Sequence, residues 1–240
     1  MTSKRVRRVA LSLPFVPLVS LGLQIASFAD MTVTQDVTST VGDKKTTSTM
    51  TTCWTKTKKR TDHPGGMISI TDLDSKTITV LKPKQKRYIQ QSFQDAEKQE
   101  DAFPAMLREA ELSVSETGEK KTIDGYPCEK LVFTVGPAEI TAWITKKIAI
   151  DPAMVEFDRK FLELTKGLRG LNLKAQLQAA LDKRNALPYL TIIEDHPSPN
   201  KTLRSELKVK KVSYEKIEPS VFAIPSGYEK VTLPPMPPQQ

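Results

Sequence analysis

Apolar and polar residues alternate one by one near the start of the chain, and this period of two constrains the fold class more than any other feature. Met31, Val33, Val37 and Val41 stand at odd positions, with Thr32, Thr34, Asp36, Thr38 and Thr40 between them. Successive side chains of a strand point to opposite faces, so the segment reads as a half-buried strand rich in β-branched residues. Gly42-Asp43 then reads as a turn, and 46–56 as a second strand with Met50, Thr52 and Trp54 on one face. His63-Pro64-Gly65-Gly66 is a turn signal. Short strands follow at 67–71, 76–81 and 85–90, separated by turns at 72–75 and 82–84. Short strands joined by short turns make an antiparallel meander.

The pattern then changes period. Phe103, Met106, Leu107 and Ala110 fall at helical spacing, with Pro104 near the start. Strands resume at 111–116, 126–135 and 140–150. Leu131, Phe133 and Val135 share one face, and Ile140, Ala142 and Ile144 share another. Asp151-Pro152 is a cap followed by proline at the first helical position, and Met154, Phe157, Phe161 and Leu164 keep the helical spacing after it. Gly167 and Gly170 interrupt. Leu173, Leu177, Ala180 and Leu181 mark a second amphipathic helix to about residue 184. Strands return after Pro188 and over 203–214. The Pro-rich tail 233–240 cannot join a ladder and is expected to be extended. One domain is expected over 30–232.

Residues 1–29 read as a secretory signal peptide. Lys4, Arg5, Arg7 and Arg8 form a basic start, an apolar run follows, and Ser27-Phe28-Ala29 supplies small residues for cleavage after Ala29. An uncleaved anchor and twin-arginine export are the competing readings of this leader. No cysteine stands at the cut, so no lipid anchor is expected. The protein is therefore expected to be periplasmic or secreted, and not membrane-spanning once processed. The formal net charge of the full chain is +8, from 36 basic and 28 acidic residues. The leader holds four of the basic residues and none of the acidic ones, which leaves +4 and removes much of the case for nucleic acid. The remaining lysines read as solvated faces and edge-strand protection. Cys53 and Cys128 are an even pair in an exported chain, and a disulfide between them is expected, with two free buried thiols as the alternative.

Catalytic chemistry is sparse. The two histidines, His63 and His196, each lie beside a proline in a turn-like segment. Neither they nor the cysteines have the spacing of a zinc site. There is no phosphate-cradling glycine loop and no nucleophile elbow. No catalytic residue, metal ligand or cofactor is therefore assigned. A positive signal comes from the helices, which lie between strands of one sheet. Helices laid across a curved sheet can leave an apolar cavity, lined here by Met154, Phe157, Phe161, Leu173, Leu177 and Leu181. The alternative is that these residues simply fill the core.

Two segments carry a family resemblance: Lys121-Thr-Ile-Asp-Gly-Tyr-Pro-Cys-Glu-Lys130, and Ile140-Thr-Ala-Trp-Ile-Thr145. The turn over 70–74, the strand over 84–89 and the closing Phe222-Ala-Ile-Pro225 with Gly227-Tyr228 also fit. Together they resemble the family known as domain of unknown function 4412, within the LolA-like superfamily of periplasmic lipoprotein carriers. The resemblance implies an α+β fold, with a strongly curved antiparallel sheet (an incomplete β-barrel) and helices packed across its concave face. It implies a non-catalytic, exported, soluble cell-envelope protein that binds an apolar or amphipathic ligand, a lipid or lipoprotein acyl chain, between sheet and helices. The rival readings are an envelope module with a filled core that binds another envelope protein, and an uncharacterised hydrolase.

Overall fold

A computed structural model describes residues 30–98, 112–135, 138–166, 169–198 and 201–232. The leader, the helix expected at 103–110 and the Pro-rich tail lie outside the described residues. The alternating segments form strands β1 (Met31–Val41) and β2 (Lys44–Trp54), paired in one unbroken register from Met31↔Trp54 to Val41↔Lys44. The meander continues through β3 (Lys58–Asp62), β4 (Ile68–Asp72), β5 (Thr77–Lys82) and β6 (Arg87–Ser92). After helix α1 (Phe93–Lys98) come β7 (Leu112–Ile123), β8 (Tyr126–Val135) and β9 (Ala138–Thr145). Helices α2 (Pro152–Leu164) and α3 (Arg169–Asp182) precede β10 (Leu187–Ser198), β11 (Lys201–Ser213) and the two-residue β12 (Glu229–Lys230).

Among the described residues the twelve strands form one sheet, in the order β12-β6-β5-β4-β3-β2-β1-β11-β10-β9-β8-β7. Every pairing is antiparallel except β12 on β6. Among the described residues β12 and β7 do not meet, so the sheet is an unclosed barrel. It must bend strongly. Helix α2 contacts β2, helix α3 contacts β7 and β10, and the two helices pack on each other. Strands β2 and β7 are six places apart, roughly 30 Å along a flat sheet, while a pair of helices is about 20 Å across. Register slips, which bend a strand, fall at Lys210 in β11 opposite Thr34 and Gln35, between Pro188 and Leu190 and between Asp195 and Ser198 in β10, and between Glu116 and Lys120 in β7.

Helix α2 starts where the sequence places it. The Asp151 Oδ1 accepts a 2.7 Å hydrogen bond from the Ala153 amide, and Pro152 occupies the first turn, where its missing N–H costs nothing. Met154 and Phe157, one turn apart, then face the sheet and are buried. The larger apolar cluster gathers at the end of the sheet where β1, β8 and β10 begin and β2, β9 and β11 finish. It holds Met31, Val33, Trp54, Cys128, Trp143, Leu187, Tyr189 and Val209, with Met154 and Phe157 from α2 and Phe93 from α1. A second cluster joins Leu131, Phe133, Ala142 and Ile144 to Leu181 of α3. Trp143 and Ile144 are sequence neighbours in different clusters, so β9 is covered on both faces; all four residues from Ala142 to Thr145 are buried.

The structure corrects several expectations. Strand β3 carries no apolar residue; pairing with β2 and β4 makes it a strand. Strand β7 runs to Ile123, well past 116. Leu131 pairs with Ala142 and Phe133 with Ile140, so the two sets assigned to different faces share one. Val41, at the hairpin end, is half exposed. His196 lies near the end of β10 rather than in a turn. The two cysteines do not pair: both are free thiols. Cys53 is on β2 and Cys128 on β8, five steps apart in the sheet and on the order of 20 Å along it. A bridge needs Cα atoms within about 7 Å.

The C-terminal segment straps the sheet. The Ile217 amide donates to Asp30 Oδ2 at 2.7 Å, Arg60 donates to the Val221 carbonyl, and the Glu229 amide donates to the Lys86 carbonyl at 2.9 Å.

Candidate functional site

Of the helix residues expected to line a ligand cavity, three are buried in the core. Met154, Phe157 and Leu181 are 2%, 1% and 2% exposed. Phe161 is half-buried; its ring stacks 6.1 Å from Phe157 and meets Phe93 edge-on at 5.8 Å. Leu177 is half-buried against the second cluster. The Leu173 side chain lies outside the described residues. Five of the six thus pack against sheet or helix neighbours, Met154, Phe157 and Phe161 in the first cluster and Leu177 and Leu181 in the second.

The residues behind the family resemblance converge. Asp124 and Gly125 form the two-residue turn between β7 and β8, with φ of 48° and 85°. Both central residues of this tight hairpin turn need a positive φ, which Asp-Gly supplies most readily. The turn carries Asp124 to the Tyr189 hydroxyl, which donates to Oδ2 at 2.9 Å, and to Lys208 Nζ at 2.6 Å. The Tyr126 and Tyr189 rings lie 4.8 Å apart. Cys128 donates its thiol proton to the Tyr126 carbonyl at 3.4 Å, and Lys121 Nζ sits 3.7 Å from the centre of the Trp143 ring. The signature is a latch that joins the β7–β8 hairpin to β9, β10 and β11.

Around this latch the surface is concave and basic. A depression of about 460 Å³ is lined by Lys120, Lys121, Lys146 and Lys147 over a floor that includes Pro127, Cys128 and Ile144. It runs into one of about 250 Å³ that shares Lys120, Glu129, Ile144 and Lys146 with it and adds Leu131 and Arg184. Leu131 and Ile144 belong to the cluster beneath α3, so this groove opens at the border between helix and sheet. Arg184 closes the border. Its Nη2 lies 2.6 Å and its Nε 3.2 Å from Glu116 Oε1 on β7, and its Nη1 donates to the Ala180 carbonyl of α3. Three Lys-Lys pairs line the depressions at this end of the sheet: 120–121 from β7, 146–147 from the segment before α2, and 210–211 from β11. Reading the lysines one by one as scattered surface charge missed this; their recurrence in pairs was the available signal.

The titratable groups here are held rather than poised. Lys208 and then the Tyr189 hydroxyl hold the Asp124 carboxyl below its ordinary value. Burial, and then the bond to Asp124, push the Tyr189 phenol up to about 12. Burial also pushes both thiols up, against the opposing pull of Lys121 on Cys128 and of Thr32 on Cys53. Such thiols are poor nucleophiles. His63 Nε2 and Ser69 Oγ share a 2.8 Å hydrogen bond at the turn. Glu119 pairs with Lys130 at 3.1 Å. Among the described residues no group of three or more His, Cys, Asp or Glu is placed to hold a metal ion, and no helix is long and apolar enough to cross a membrane.

No curated protein matches the chain. Solved structures similar to it include PNGF-II, at 11% identity and a TM-score of 0.41, covering 85% of this chain; the chain spans 31% of that protein's length. A DUF1329 family protein from Desulfovibrio piger has 10% identity and a TM-score of 0.37, with 83% of this chain and 92% of that one covered. A domain described as an outer membrane lipoprotein-sorting protein from Vibrio parahaemolyticus has 10% identity and a TM-score of 0.37, with 82% and 90% covered. These likenesses are loose, and the fold stands on the strand registers above. The sequence match is direct: the profile of one family covers residues 30–228, and the chain belongs to that family, described as a domain of unknown function, DUF4412.

Proposed function

We propose that the chain is a non-catalytic exported protein of the cell envelope, periplasmic or secreted, that binds an amphipathic ligand with a lipid-like acyl tail. The observation that carries this reading is the groove at the α3 border. Its floor residues Leu131 and Ile144 continue under the helix, and its rim is mostly lysine, with Glu116, Glu129 and Arg184 among the lysines. An acyl tail follows that floor beneath α3 and displaces Leu177, the half-buried member of the helix set there; Phe161 offers the same opportunity at α2. Each buried CH₂ adds about 0.8 kcal/mol, so a modest length of tail suffices to displace packed side chains. The lysine rim keeps the polar head in water. Native mass spectrometry after gentle purification and uptake of a fluorescent fatty acid test the reading. A ligand-free mass with no uptake would overturn it.

A second reading has its own observation. Met154, Phe157 and Leu181 are tightly packed, as they would be in an envelope interaction module that binds another protein and has no internal ligand. That module would bind through an exposed surface, and probe uptake separates the two.

A further inference from the structure

Beside the groove, and sharing Lys147 with it, lies a separate depression of about 430 Å³. Its walls include Tyr126, Tyr189, Tyr214, Lys147, Lys210 and Lys211. Its position is not an accident of loop packing, because two neighbouring strands each break register to build it. In β10, Pro188 pairs with Ile144 and Leu190 with Trp143, so Tyr189 is the extra residue. In β11, Lys211 pairs with Thr34 and Val209 with Gln35, so Lys210 is the extra residue. Bulges re-aim side chains and are enriched beside binding sites. Here both inserted residues face the same hollow.

The chemistry of the lining is one-sided. It contains three lysines and no carboxylate. Lys210 is shared with Asp36 at 3.2 Å, while Lys147 and Lys211 have no carboxylate partner among the described residues. Asp124 on the latch is taken by Lys208 and Tyr189. Two tyrosine hydroxyls are also committed: Tyr189 to Asp124, and Tyr214 to the Ala149 carbonyl at 2.6 Å. With those hydroxyls turned away, the rings offer carbon faces, over a floor of buried Ile148 and Val209. Ammonium groups among aromatic walls over an apolar floor suit a compact, multiply charged anion attached to an apolar segment.

We propose that this tyrosine–lysine depression binds a phosphate-type anion, the headgroup end of the amphiphile whose tail lies in the adjoining groove. The inference rests on the amphiphile reading for the tail but not for the anion. Calorimetric titration of the purified protein with dodecyl phosphate, dodecyl maltoside and inorganic phosphate tests it. The variant carries Lys210→Ala with Lys211→Ala, both exposed residues that line this depression and not the groove; the control carries Lys44→Ala with Lys45→Ala, at the other end of the sheet. The expected result is that dodecyl phosphate binding weakens at least about tenfold in the variant and not in the control, because each lysine near an anionic group contributes on this scale. Dodecyl maltoside binding stays unchanged. Equal weakening of both alkyl ligands, or of neither, would overturn the anion site. If inorganic phosphate alone binds and loses its affinity in the variant while no alkyl ligand binds, the site takes free phosphate and the tail reading fails instead. If none of the three binds, both readings fail.

Discussion

Arg184 is the most informative residue to change. It joins the end of α3 to the sheet edge by placing two N–H groups on one oxygen of Glu116, at 2.6 and 3.2 Å. Glu116 is 70% exposed and Arg184 25% exposed, so solvent screens the pair. An exposed ion pair contributes about 0.2–1 kcal/mol. Arg184→Gln should therefore lower the urea stability by no more than about 1 kcal/mol. The same free energy has a larger functional readout. If probe reaches the cluster under α3 only when this border opens, weakening the clasp by 0.5–1 kcal/mol raises the open population about two- to fivefold. Stopped-flow uptake of a fluorescent fatty acid should accelerate by that factor. Glu116→Gln should match it, and the reversed pair, Arg184→Glu with Glu116→Arg, should return the rate toward the starting value. The Ala180 carbonyl is the internal check: Arg184→Gln frees it and Glu116→Gln does not, so a rate gain in Arg184→Gln alone would implicate the helix end. Wild-type rates in both single variants would refute the groove as the route.

The other predictions follow from burial and from the latch. Phe157→Ala removes a side chain that is 1% exposed, and should cost about 3–5 kcal/mol in a urea melt. Thiol labelling of the denatured, unreduced protein should give two labels per chain, and in the folded protein Cys128, 2% exposed, should react much more slowly than after unfolding. The Tyr189 phenol, raised to about 12 by burial and then by Asp124, should ionise well above the ordinary phenol range of about 10 in an ultraviolet titration. A phenol whose folded pKa lies above its unfolded value of about 10 stabilises the fold fully below pH 10. That contribution disappears as the pH rises to 12, and the loss should be absent in Tyr189→Phe.

Much of the architecture was legible because it rests on local periodicity. The alternation around Met31 and Val33 located β1, and Asp151-Pro152 located the start of α2 to the residue. What escaped was set by neighbours. Lys58–Asp62 has no apolar residue to announce a strand and is one because β2 and β4 flank it. The polar half of β7 is strand because β8 pairs with it. The family of the chain was readable from Ile123-Asp124-Gly125-Tyr126 and Trp143, which the fold brings into one latch. The cysteine pairing was misjudged because a parity argument carries no distance. The basic hollow was unreadable for a further reason: it depends on two register slips, at Tyr189 and Lys210, and a slip leaves no mark in periodicity until the partner strand is known.

The pairing of β1 with β11 also governs how the molecule can be assembled as it emerges from the ribosome. Its partners extend from Thr32↔Ser213 to Val41↔Leu203, so the middle of the sheet joins an early strand to one of the last. Until β11 appears, β1 to β6 and β7 to β10 can exist only as two half-sheets, each with raw edges. Contacts so distant in sequence are slow to form. A ribosome-bound or truncated chain ending before Lys201 would thus lack the strand that seals the two halves. It would stay loose and edge-exposed, the condition in which a polypeptide can still be threaded through a translocation pore and also the one in which it aggregates if held too long.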